Sequence, residues 1–218
     1  MIRYSLITPS RGDRPLALGQ AIDSVRTAAE NADLEPDAIE MLIGFDGVRG
    51  ERVRDNAFVR WYDFPANHDF GNAIRNGLLR AAGGKRIIFL DDDNVLTPEA
   101  FRTYERHPDI EFLVCRIDVS RAHAIPFLPR EEPDRDPIRQ GNIDPLCLCL
   151  SRDLVVARCG GWQNTGYEAD FLNIVRYRRR ARSFHNTQEL AGVYDAGAGL
   201  DAGGGNFRHN LSPETIYE

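Results

Sequence analysis

The apolar run Ile87-Ile88-Phe89-Leu90 passes without a break into Asp91-Asp92-Asp93-Asn94. A run of that kind reads as a buried strand. Three consecutive carboxylates repel one another, so the strand has to end where solvent or a cation can reach them. Asp91 and Asp93 are two apart and can point the same way, one toward a sugar hydroxyl and the other toward a metal. Mg²⁺ and Mn²⁺ favour few carboxylates together with phosphate oxygens, the combination a bound nucleoside diphosphate supplies. The triplet could also be an acidic turn ahead of the helix that Thr97-Pro98 opens. The apolar strand in front of it favours the ligand role.

The strand is one of several that alternate with helices. Ile2–Thr8 and Ile39–Phe45 are apolar runs that stop in Thr8-Pro9-Ser10-Arg11 and Asp46-Gly47, and Phe58–Tyr62 is a further short strand. Pro15–Glu30 and Asn72–Ala82 carry apolar residues at helical spacing, the second ended by Gly83-Gly84. This order predicts an α/β layer fold with a largely parallel sheet, in which ligands sit at the carboxyl ends of the strands. Three polar clusters fall at such ends: Thr8–Arg11, Asp46 and Asp91–Asn94. Arg11 could reach a phosphate or a base, and Asp46 could accept from a base or ribose. Asp46-Gly47 is equally a common turn.

The second half is less regular. Strands are expected over Glu111–Asp118 and Pro145–Ser151, an exposed mobile loop over Pro129–Pro137, a short helix over Asp153–Arg158, and a longer one over Glu168–Arg180. Arg176–Arg182 holds five arginines in seven residues, a solvated helix end or a landing site for an anionic acceptor. After Ala191 the chain turns glycine-rich. We expect one domain over 1–191, with a nucleotide-binding half (1–101) and an acceptor half (102–191), followed by a flexible tail or lid at 192–218.

With 218 residues the chain can bury a substantial core, and a net charge of −6 argues against a general nucleic-acid or anionic-membrane coat. The four cysteines follow no zinc or disulfide spacing and read as buried thiols in a reducing compartment. No apolar stretch approaches a membrane span and no signal peptide is evident, so a soluble cytoplasmic protein is expected.

The segments LITPSRGDRPLALGQAIDSV, EMLIGFDGV and GNAIRNGLLRAAGGKRIIFLDDDNVLTPEAF, in that order, resemble the family 2 glycosyltransferases of GT-A type. LCLCLSRDLVVARCGGW and the Glu168 helix continue the resemblance more loosely. It implies the GT-A (nucleotide-diphospho-sugar transferase) fold, a Rossmann-like, mostly parallel sheet flanked by helices. It also implies that Thr8, Pro9 and Arg11 cradle the nucleotide, that Asp46 holds the base, and that Asn72, Arg75 and Asn76 pack beneath it. Asp91 and Asp92 would face the donor, Asp93 would ligate Mn²⁺ or Mg²⁺, and Trp162, after Gly160-Gly161, would line the sugar and acceptor pocket.

The family's acidic base motif is altered here to Tyr167-Glu168-Ala169-Asp170-Phe171. The alignment that keeps the helix stripe makes Glu168 the general base; the other makes it Asp170. The family's Tyr-x-x-His becomes Tyr194-Asp195-Ala196-Gly197, leaving His209, or else His185, to replace the imidazole as a metal ligand. The implied activity is metal-dependent transfer of a sugar from a nucleotide-sugar donor, UDP-linked by default, to an acceptor hydroxyl with inversion. The acceptor could be a glycan, a small molecule or a lipid-linked sugar, with nucleic acid open at the arginine run, and the chain could form a homodimer. A sugar-phosphate nucleotidyltransferase and a non-catalytic nucleotide-sugar-binding subunit are the alternatives.

Overall fold

The computed structural model describes residues 1–53 and 56–202. The strands are β1 (Tyr4–Ser10), β2 (Ile39–Asp46), β3 (Val59–Phe64), β4 (Arg86–Phe89), β5 (Val95–Leu96), β6 (Phe112–Asp118), β7 (Phe127–Leu128), β8 (Leu148–Ser151) and β9 (Phe184–Val193). The helices are α1 (Pro15–Asn31), α2 (Asn72–Ala81), α3 (Ala100–Glu105) and α4 (Ala169–Arg180). Among the described residues the strands form one sheet in the order β3-β2-β1-β4-β8-β6-β9-β5, with β7 on β6. Pairings β3-β2-β1-β4 and β6-β9 are parallel, and β8 runs antiparallel between β4 and β6. The expected α/β fold with a mostly parallel sheet is present.

The apolar stripe of α1 explains its place: Leu18, Ala21, Ile22, Val25 and Ala28 are all buried, and α1 packs with α3 and β5 while α2 lies on β1 and β2. Burial of such a stripe, rather than intrinsic propensity, supplies most of a helix's stability in a folded domain. The start of α2 is brought close to β1 by Gly71, whose φ of +75° suits glycine. A Cβ there would lie 2.8 Å from Pro9 Cβ and 3.2 Å from Arg75 Nη1. That approach sets Arg75 beside the end of the central strands.

The remainder departs from simple periodicity. The Asp153–Arg158 segment is a wide π-type turn, and Pro145–Cys147 forms a 3-10 turn before β8, held by the Asp144 carboxylate on Leu146 N (2.9 Å). The charged 129–137 loop is largely exposed, yet it is pinned by buried Asn142, which accepts from Arg130 N (2.9 Å) and donates to Pro137 O (3.0 Å). All four cysteines are buried free thiols. Among the described residues no helix is long and apolar enough to cross a membrane.

Instead of opening a loose tail at 192, the chain continues β9 to Val193, and Tyr194–Gly197 are buried. Gly197 N donates to Asp93 O (2.9 Å) and Asp195 N to Asn94 Oδ1 (2.7 Å), while Asp201 caps the start of α1 at Leu16 N (3.0 Å) and Ala17 N (2.9 Å). Residues 203–218, which carry the rest of the expected lid, lie outside the described residues.

Candidate active site

A crevice opens at the carboxyl ends of β1, β2 and β4, where the strands hand over to polar turns. It is lined by Pro9 to Arg11, Arg14, Asp46, Phe70, Gly71, Arg75, Asp91–Asp93, Tyr167, Asp170 and Tyr194. In a parallel sheet these ends converge, so residues far apart in sequence share one cleft.

Asp46 ends β2, and its carboxylate accepts from Asn67 N (2.6 Å) and His68 N (2.9 Å). It therefore fixes the turn that leads to Phe70 while still facing the crevice. Arg75 is almost wholly buried, donating Nη2 to Asp91 Oδ1 (2.6 Å) and Nη1 to Phe70 O (2.8 Å), with its guanidinium 5.2 Å from the Trp162 ring centroid. Burial works against its charge, but Asp91 and then Asp170 raise its pKa above the ordinary arginine range. Asp91 remains 37% exposed toward the crevice.

Asp92 and Asp93 are buried and share one partner. Arg14 Nη2 donates to Asp92 Oδ1 (2.5 Å) and Nη1 donates to Asp93 Oδ2. The other oxygen of Asp92 accepts from Ser10 Oγ (2.6 Å). Burial pushes the Asp92 carboxyl up to about 7, with Arg14 opposing the shift and Asp93 adding to it. Asp93 is shifted the same way, again by burial.

Several expected site residues lie elsewhere. Thr8 is fully buried behind the wall, and its Oγ1 finds no hydrogen-bond partner among the described residues. Trp162 and Asn72, expected at the pocket wall, are buried beneath it: Trp162 Nε1 donates to Asn72 Oδ1 (2.8 Å), Asn72 Nδ2 donates to Gly166 O (3.1 Å), and the indole packs on Phe89 (4.9 Å between centroids). They brace Arg75 and the 160–166 turn rather than line the crevice. Glu168 is exposed and accepts from Gln140 Nε2 (2.8 Å), whereas Asp170, in the first turn of α4, lines the crevice. His185 lies tilted against His107 (4.5 Å between centroids) outside the crevice lining, and His209 lies outside the described residues. Much of the arginine run is spent on packing, with Arg176 donating to Gly161 O (2.6 Å) and Arg178 lying 4.1 Å from the Phe184 ring centroid.

The fit of a divalent cation can be judged from these contacts. Asp93, the expected ligand, is held with Asp92 by Arg14, and Asp91 is held by Arg75. Among the described residues no three His, Cys, Asp or Glu side chains converge as a metal set. As arranged, the triplet does not fit a metal.

Two crevice residues carried no expectation from sequence, Arg14 and Phe70; Tyr167 and Tyr194 entered only as members of the altered base and Tyr-x-x-His motifs. For Arg14 a signal existed, since a cation immediately before Pro15 at a helix N-terminus opposes the helix dipole and calls for acidic partners. Phe70 and Tyr167 are each 54% exposed and meet edge-on at 5.7 Å between centroids.

No protein-family model matches the sequence, and no curated protein matches it. Solved structures do match the fold. S. aureus TarS 1–349 in complex with UDP-GlcNAc aligns with a TM-score of 0.74 at 13% identity, over 97% of this chain and 62% of that one. TarS 1–349 without that ligand gives 0.74 at 13% identity over 88% and 60%. The mannosyltransferase PcManGT of Pyrobaculum calidifontis, in complex with GDP-Man and Mn²⁺, gives 0.59 at 13% identity over 88% and 56%. The chain thus has the GT-A glycosyltransferase fold and spans no more than 62% of the length of these neighbours.

Proposed function

We propose that this GT-A fold is a glycosyltransferase, similar to family 2, that moves a sugar from a nucleotide-sugar donor to an acceptor hydroxyl with inversion. One observation carries the reading: the crevice at the strand ends, where such folds hold nucleotides, is lined by Arg11, Arg14 and Arg75 together with a carboxylate, Asp170. The neighbours crystallised with UDP-GlcNAc and GDP-Man support it. UDP is the default nucleotide. The four free buried thiols support a reducing, cytoplasmic setting.

In this reading Asp170, rather than Glu168, is the general base. It takes the acceptor hydroxyl proton as that oxygen attacks the anomeric carbon from the face opposite the diphosphate. The bond from the anomeric carbon to the leaving oxygen breaks, its electron pair departs with the nucleoside diphosphate, and configuration inverts. The growing negative charge is met by the arginines that line the crevice, where preorganised donors are most effective. Asp46 fixes the turn on which the base side of the crevice rests. The Phe70–Tyr167 pair gives an apolar edge against which the carbon face of an acceptor sugar can pack, so we favour a glycan or lipid-linked sugar over nucleic acid. A Mn²⁺- or Mg²⁺-assisted form through Asp93 would require Arg14 to leave it.

A thermal-denaturation panel of UDP-, GDP- and dTDP-sugars tests the reading. The donor that fits stabilises the folded state by about 2.7 kcal/mol at a hundredfold excess over its Kd. A panel in which no nucleotide sugar raises the unfolding midpoint contradicts it.

A further inference from the structure

We propose that Arg14 is a built-in counter-cation, taking the place of a divalent ion at the acidic triplet, and that nucleoside diphosphate binding at this site does not depend on added metal. The inference rests on the nucleotide-sugar reading of the crevice and concerns which charge meets the diphosphate.

Three observations carry it. First, Arg14 bridges the two most buried members of the triplet, Asp92 at 1% and Asp93 at 9% side-chain exposure, and is itself only 12% exposed. A guanidinium remains charged at any relevant pH and presents donors in a planar fork, so one group can hold two carboxylates. Second, Arg14 lines the crevice, and its buried Nε–H finds no hydrogen-bond partner among the described residues, Asp13 Oδ1 lying 3.9 Å away. A buried donor left unmatched is costly, so a turn of the guanidinium that brings it to an incoming phosphate oxygen would relieve it. Third, each acid of the triplet already has a cationic partner: Arg75 holds Asp91, and Arg14 holds Asp92 and Asp93.

The position is set by the fold. Arg14 sits immediately before Pro15 at the start of α1, and that start is tied down from the far end of the chain by Asp201 on Leu16 N and Ala17 N. A metal entering at Asp93 would have to displace Arg14 Nη1 and leave the buried guanidinium with Asp92 alone of its two buried carboxylates, which is unfavourable.

Isothermal titration of UDP, GDP and dTDP into the full chain, once with EDTA and once with millimolar Mn²⁺, tests this, alongside Mn²⁺ paramagnetic resonance without nucleotide. For the nucleotide that binds, affinity in the two buffers should agree within about threefold, and the nucleotide-free wild type should leave Mn²⁺ free. Arg14→Met should weaken nucleotide binding in EDTA by about tenfold or more and should bind Mn²⁺ at the uncovered acids. Arg14→Lys keeps the charge without the fork, and it serves as the folded comparison if Arg14→Met is unstable; it should lose affinity to a smaller extent. Nucleotide binding to wild type that is tenfold or more tighter with Mn²⁺, or that Arg14→Lys and Arg14→Met leave unchanged, overturns the proposal. If no nucleotide binds wild type in either buffer, the nucleotide-sugar reading falls, and the role of Arg14 with it.

Discussion

Asp170→Asn is expected to lower sugar transfer by about 10²–10⁴-fold, the usual contribution of a positioned general base. The substitution is nearly isosteric and removes only the ability to take a proton. Nucleotide-sugar affinity should therefore stay within about threefold of wild type, because the base acts on the acceptor and not on the donor. Initial rates together with donor titration separate the two quantities. Glu168→Gln is the matched control: Glu168 is exposed and bound by Gln140 away from the crevice, so its loss should leave transfer within about threefold. A large loss in Glu168→Gln with little change in Asp170→Asn would restore the alignment that keeps Glu168 as the base.

Arg75→Met is expected to destabilise the protein by about 3 kcal/mol, the low end for breaking a buried ion pair. The low end applies because Asp91 stays 37% exposed and can be partly rehydrated. Arg75 also caps the Phe70 carbonyl and covers Trp162, so its removal uncouples the start of α2 from the 160–166 turn. Phe70 is held at φ +49°, a conformation a bulky residue adopts only when its surroundings enforce it. Urea denaturation should show a lower midpoint with an unchanged slope. Arg75→Lys, which keeps a charge but not both hydrogen bonds, should fall between Arg75→Met and wild type.

The parts of the site that were legible in sequence are those written locally. An apolar run that stops in polar residues marks a strand end, and β1, β2 and β4 each carry that mark, which is enough to bring Arg11, Asp46 and Asp91–Asp93 to one crevice. The rest depends on pairings across the fold. Arg14 meets Asp92 and Asp93 over separations of 78 and 79 residues, and Trp162 meets Asn72 over 90. The choice between Glu168 and Asp170 turns on where the first turn of α4 begins, a matter of one or two residues that the helix stripe does not resolve. The β9 segment His185-Asn186-Thr187-Gln188-Glu189 has no apolar alternation and becomes a strand through pairing with β6. The glycines after 191 suggested flexibility, but Gly197 serves close approach: a Cβ there would lie 2.5 Å from Ala17 Cβ.

The most direct measurement of the central assignment is the product formed from the nucleotide sugar that binds, followed by phosphorus NMR with and without a panel of sugar acceptors. Glycosyl transfer at this crevice gives free nucleoside diphosphate, slowly with water and faster with the right acceptor, and Asp170→Asn abolishes the acceptor-stimulated part. Release of a sugar phosphate with nucleotidyl transfer to pyrophosphate, or tight donor binding with no turnover under any acceptor, would contradict it.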